Sequence, residues 1–139
     1  MSVIDSLITD RTAADVSNRT AKGLYNATDI NRVSEAILAV AADLNAAGYT
    51  VTLPGGIRTD WAIGDLPTAS DLQPIAGGLA AIREAATWAD GWPDVPSTLD
   101  RLGYESANNM EELLLLVDAD VQRIAAAFYF AGDLIAGEV

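Results

Sequence analysis

The residues that could do chemistry in this chain are carboxylates. Asp and Glu number 20 against 8 Lys and Arg, and the chain has neither His nor Cys. Two carboxyl groups flanking a scissile bond are the machinery of glycoside hydrolysis. Asp118 and Asp120 lie two apart, so on a helix they do not face each other. Glu111 and Asp118 lie seven apart and share a face beside Leu114. That face reads as a charged outer surface in contact with water. A di-metal carboxylate bundle would want Glu-x-x-His ligand pairs, and a Ser-His-Asp triad would want its imidazole; the composition excludes both. Absent Cys excludes disulfides, Cys-based zinc sites, iron–sulfur clusters and thiol nucleophiles. Asp90-Gly91-Trp92-Pro93-Asp94 is too short for a calcium loop. Gly55-Gly56 and Gly77-Gly78 lack the Gly-Lys-Ser/Thr ending of a phosphate loop. Asn18-Arg19-Thr20 and Asn26-Ala27-Thr28 read as caps and turns. The expectation is a chain with no catalytic residues, no cofactor and no metal.

Two other groups of side chains could carry function. Trp61, Trp88 and Trp92 fall in or beside loops, with Tyr25, Tyr49 and Tyr104 at helix ends. Each aromatic could pin a loop to the body of the protein. Alternatively they could form one docking patch at an end of the molecule, stacking on a sugar or a protein. The second group is apolar. Leu113 to Leu116 are four consecutive leucines, and Phe128 and Phe130 continue the excess further on. Leu113, Leu116, Phe128 and Phe130 are therefore candidate interface residues in a homo-oligomer.

The net charge of −12 opposes nucleic acid, whose phosphates need clustered Lys and Arg, and opposes an anionic membrane surface. The longest uncharged apolar run, residues 124–132, is too short to span a bilayer. The first residues show no basic start followed by an apolar run, so the expected place of synthesis is the cytoplasm.

Helical periodicity sets the elements that must position these groups. The spacing of Ile30, Val33, Ile37, Val40, Leu44 and Ala47 predicts a helix over about 29–47, capped by Thr28 or Asn26 and closed by Gly48. Leu72, Ile75, Leu79, Ile82, Ala86 and Ala89 predict a second over about 70–89. Pro74 lies either in its first turns or in a turn before it. Gly77-Gly78 costs helix propensity, about 1 kcal/mol per glycine relative to Ala, and suggests close packing against another helix. Met110, Leu114, Val117, Val121, Ile124 and Phe128 predict the longest helix, about 104–131. A weaker one covers about 11–21, capped by Asp10 or Thr9. The expected fold is all-α: a three- to four-helix bundle with heptad-like helices, forming a single domain over 1–139 with loops of moderate length.

Several phrases resemble a known group. The runs Ile8-Thr9-Asp10-Arg11-Thr12-Ala13-Ala14-Asp15-Val16 and Gly23-Leu24-Tyr25-Asn26-Ala27-Thr28-Asp29-Ile30-Asn31-Arg32-Val33 are similar to the opening of small modules encoded in prophages of Gram-positive gut bacteria. Thr59-Asp60-Trp61 leading to Asp65-Leu66-Pro67-Thr68 looks like the same group. So does Leu102-Gly103-Tyr104-Glu105-Ser106-Ala107-Asn108-Asn109-Met110-Glu111. The matches keep their order over nearly the whole chain. Gln73-Pro74 and Gly77-Gly78 depart from it. The resemblance implies a non-enzymatic virion part, found among tail, baseplate and fibre proteins, working by contact with other tail proteins. A head–tail connector or a host-glycan-binding module using the loop tryptophans is the alternative. The phrases themselves read as structural: Asn26 and Thr28 as caps, and Arg32 as a surface partner for Asp29 or Glu35.

Overall fold

The computed structural model describes residues 3–20, 23, 25–62, 64, 65, 68–86, 92–97, 99 and 102–137, with the backbone alone at 69, 125 and 127–137. The described residues form an all-α bundle, as the periodicity predicts. A 3-10 turn, Val3–Ser6, precedes α1 (Ala13–Ser17), α2 (Ala27–Ala46), α3 (Ala69–Ala85) and α4 (Tyr104–Gly137).

Three helices begin with the same device. Thr12, Asn26 and Thr68 each accept from the backbone N–H three residues on, and Asp15, Asp29 and Asp71 return the bond to the cap's own N–H. Each box satisfies two backbone donors that the first turn leaves open and puts a negative charge at the positive end of the helix dipole. These boxes set the boundaries. Asn26, not Thr28, caps α2, and Thr12, not Asp10 or Thr9, caps α1. Helix α1 is also far shorter than the expected 11–21. Pro74 lies inside α3, past the first turn, where it removes one backbone bond to Ser70, an exposed residue whose carbonyl water can satisfy. Helix α2 closes as expected: Gly48 takes φ 97°, its N–H reaches the Asn45 carbonyl, and the Tyr49 N–H reaches that of Leu44 at 2.9 Å. This is the Schellman arrangement that glycine permits at little strain.

The three long helices run parallel, and the long connections descend between them. The Val51 N–H donates to the Asn45 side chain at the C-terminal end of α2. Further along, Ile57 lies against Gly78 in mid-α3, and Trp61 is held by Asn31 near the start of α2. This connection therefore runs antiparallel to α2 and returns the chain to its base, so α3 climbs alongside α2. The next connection repeats the move: Arg83 Nη1 donates to the Pro93 carbonyl at 2.7 Å and Gln73 Nε2 to that of Ser97 at 3.2 Å. Helix α4 then pairs with α2 in the same sense, Glu111 with Arg32 low down and Gln122 with Asp43 higher up. Parallel neighbours need long crossovers, and the two breaker-rich stretches are long enough to supply them.

The core is one cluster. Ile37, Leu44, Ile75, Leu79, Ile82, Met110, Leu113 and Leu114 are fully buried at its centre. The paired glycines do mark close packing. A Cβ at Gly78 would stand 2.9 Å from Cγ2 of Ile37, a contact no side chain could hold without movement, so glycine lets α3 approach α2. None of the described helices is long and apolar enough to cross a membrane.

Candidate functional site

The polar groups that sequence placed on the surface are at the centre of the molecule. Glu111 is 0% exposed and Asp118 9%. Both are corrections to the expectation of a solvated face. Their positions flank the Leu114 stripe, and on α4 that flank packs against α2 and the N-terminal segment rather than water.

Glu111 is the hub of a buried ion cluster. Its Oε1 accepts from Arg32 Nε at 2.5 Å and from the Ile8 N–H at 3.1 Å. Its Oε2 accepts from Arg11 Nη2 at 2.6 Å and Arg32 Nη2 at 3.0 Å. Asp29 takes a second bond from Arg32 at 2.7 Å and lies 3.5 Å from Arg11. Two guanidinium groups thus face two carboxylates, and the cluster is charge-balanced. Burial works against the Arg32 charge, but hydrogen bonds to Glu111 and Asp29 and their charges outweigh it, holding its pKa above the ordinary arginine value. The Tyr25 hydroxyl is pushed up first by burial and then by the Glu111 and Asp29 charges. Its ring lies under Arg11, 5.5 Å from guanidinium to centroid. Arg32 does pair with Asp29, but inside a cluster that ties α2, α4 and the N-terminal segment together, not as an isolated surface pair.

Two asparagines extend that tie to the backbone. Asn108 accepts the Arg11 N–H at 3.0 Å and donates to the Arg11 carbonyl at 2.9 Å. Asn31 holds Trp61 the same way, with both bonds at 2.8 Å. A carboxamide sets an N–H donor beside a carbonyl acceptor, so it can satisfy a passing peptide as a strand neighbour would.

Higher on the same α2–α4 seam sits an acid pair, Asp118 with Asp43. Burial foremost, then the hydrogen bond and charge of Asp43, push the Asp118 carboxyl from 3.8 up to about 7, with Asp5 adding to the rise.

The aromatics divide. Trp61 and Trp92 are partly buried and packed against the core, as loop anchors would be. Trp61 lies level with the start of α2, whereas the Trp92 carbonyl lies 3.5 Å from Arg83, in the last turn of α3. Because the helices run parallel, these two tryptophans are at opposite ends and form no shared patch. Trp88 lies outside the described residues. A hollow of about 260 Å³ opens beside Trp61, lined also by Tyr25, Ile30 and Asp65. Arg58 covers one side of the indole at 4.1 Å and pairs with Asp60 and Asp65.

The apolar candidates divide as well. Leu113 is 0% exposed and fills the core, so it offers no surface to a partner. Leu116 is 37% exposed and Leu115 38%. The backbone at Phe128 and Phe130 is helical, but their side chains lie outside the described residues. Their height along the bundle is informative. Gln122 bonds to Asp43 and α2 ends at Ala46, so α2 stops level with about residue 125. Helix α3 stops at the same height, where Ala81, Glu84 and Ala85 meet Thr50 and Thr52. Helix α4 continues over residues 126–137, about 18 Å further at 1.5 Å per residue. The apolar spacing of Val117, Val121 and Ile124 continues in the sequence through Phe128, Ala131 and Ile135, and Asp133 is the one charged residue of 126–137.

No protein-family model, curated protein or solved structure matches this chain.

Proposed function

We propose that this chain is a non-enzymatic interaction module that self-associates through the projecting end of α4, as a part of a phage tail or baseplate. The supporting observation is the overhang of α4. An apolar spacing that outruns its own bundle offers a helix face that a partner can cover. Burying Phe128 and Ile135 would contribute roughly 1.5–3 kcal/mol each, and an isolated three-turn helix gains little stability of its own in water.

The partner we commit to is a second copy. Bodies carrying −12 each repel when placed flank to flank. The overhang has a single Asp and reaches about 18 Å, beyond a screening length of about 8 Å at physiological salt. Two copies joined at their tips would keep their acidic bodies apart. The tail context comes from the sequence resemblance.

Sedimentation velocity tests the reading. The wild-type chain is expected to associate at micromolar concentration, and Phe128→Asp and Ile135→Asp are each expected to shift it toward monomer without loss of helicity. Association unaffected by both changes would reject the overhang as the contact.

A further inference from the structure

The hollow beside Trp61 measures about 260 Å³, and its walls are of two kinds. Trp61, Tyr25, Ile30 and Ala62 supply apolar surface, and Asn26 and Asp65 supply polar groups. Asn26 spends its Oδ1 on the Thr28 and Asp29 N–H groups that open α2. Its Nδ2 makes no hydrogen bond among the described residues. Asp65 spends its Oδ2 on the Ala62 N–H and on Arg58 Nη2, both at 2.9 Å. Its Oδ1 makes no hydrogen bond among the described residues. The lining therefore holds one unspent donor and one unspent acceptor beside an aromatic wall.

These walls are built before any ligand arrives. Both backbone groups of Trp61 are tied to Asn31 at 2.8 Å. Asp65 closes a turn on Ala62 twice, its N–H donating to the Ala62 carbonyl and its carboxylate accepting the Ala62 N–H, each at 2.9 Å. Arg58 lies 4.1 Å from the centre of the indole ring and takes no part in the lining. The hollow thus borders the indole where Arg58 leaves it open. A preformed wall needs little ordering on binding.

The contents of the walls select the ligand. Pockets for drug-sized molecules run to about 300–1,000 Å³, so this space suits a single ring. A wholly apolar ring would gain nothing from the Asn26 donor and the Asp65 acceptor. A cation would gain little from Asp65, whose charge is met by Arg58. An anion would meet a chain of net charge −12, whose field opposes it. A neutral sugar fits on every count. Its hydroxyls both give and accept hydrogen bonds, and its C–H face carries the slight positive charge that an indole face attracts. We propose that the hollow beside Trp61 is a binding site for one neutral sugar ring, set against the indole and hydrogen-bonded by Asn26 and Asp65. The site stands apart from the α4 overhang. It lies at the start of α2, whose 20 residues hold it about 30 Å below the level where the overhang begins. Copies joined at their tips would carry their sugar sites outward.

Nuclear magnetic resonance titration of the isotope-labelled full chain tests this. The probes are the methyl glycosides of glucose, galactose, mannose and N-acetylglucosamine, each added to about 50 mM to reach millimolar affinities, with tetramethylammonium chloride as a cation control. At least one glycoside is expected to move the Trp61 indole and the Ile30 and Ala62 amide signals with a millimolar Kd, and to leave the Val121 amide in place. Asn26→Asp keeps a good cap but trades the Nδ2 donor for an oxygen, and should weaken binding about three- to tenfold. Trp61→Leu keeps an apolar wall and the backbone bonds to Asn31, and should weaken binding about tenfold or more. Phe128→Asp should bind sugar as the wild type does, so loss of self-association and loss of sugar binding are told apart. The proposal is overturned if no glycoside moves the Trp61 signal, if tetramethylammonium moves it at a lower concentration than every glycoside does, or if Asn26→Asp and Trp61→Leu both bind within about twofold of wild type.

Discussion

Replacing Glu111 with Gln keeps the size of the hub and removes its charge. Arg11 and Arg32 are then left with Asp29 as the one carboxylate for two buried guanidinium groups. Four donors now point at Glu111, three of them from arginines. The Gln amide can accept at its oxygen but presents its NH2 to a guanidinium. Breaking a buried ion cluster from one side costs about 3–5 kcal/mol, because the remaining charge is uncompensated. Against a total stability of about 5–15 kcal/mol, this corresponds to a fall in Tm of roughly 10–20 °C for a chain of this length. Thermal and urea unfolding followed by far-UV circular dichroism measures it. The companion variant Arg11→Met/Glu111→Leu removes one cation and one anion together, leaving Arg32 with Asp29. It is expected to be more stable than Glu111→Gln alone, since the imbalance is gone. A loss below about 1 kcal/mol for Glu111→Gln, or a double variant weaker than the single, would refute the view of Glu111 as a buried hub.

Other consequences follow from single contacts. Gly78→Ala introduces a Cβ against Cγ2 of Ile37, an overpacking cost of about 1–3 kcal/mol partly offset by about 1 kcal/mol of helix propensity; adding Ile37→Val, which keeps Cγ2, is expected to restore little of the loss in urea midpoint. Asn31→Ala frees both backbone groups of Trp61 and should cost about 1–3 kcal/mol in the same measurement. Leu116→Asp changes an exposed position and should leave the unfolding midpoint within about 0.5 kcal/mol of wild type; a larger loss would place Leu116 in the core.

The helices were legible because two local signals agree: three-four apolar spacing along each segment, and a cap residue followed by Asp three positions on. The pairs Thr12 with Asp15, Asn26 with Asp29 and Thr68 with Asp71 carry the boundaries more sharply than periodicity does. Reading Asn26 as the first member of such a box would have moved the start of α2 to its true place. The interior charges were not legible in the same way. Periodicity counts apolar residues, so Glu111 and Asp118, at the margin of the stripe, fall on the wet side by default. The partners of Glu111 are 79 and 100 positions away, and no local pattern reports them. A hint was present in the scarcity of cations: with 8 against 20 acids, any carboxylate taken into the interior must draw on one of a few arginines. Apolar spacing carries no sign of direction between helices, so the parallel course was not legible from it. The lengths of the connections, each able to span a whole helix, were the physical cue.

Self-association is read most directly from the mass of the particle in solution. Sedimentation equilibrium of the full chain over a micromolar concentration series should give a mass above that of one 14.6 kDa chain, falling to the monomer in Phe128→Asp. A wild-type chain that stays monomeric across the series would contradict the claim that the end of α4 is a contact between copies.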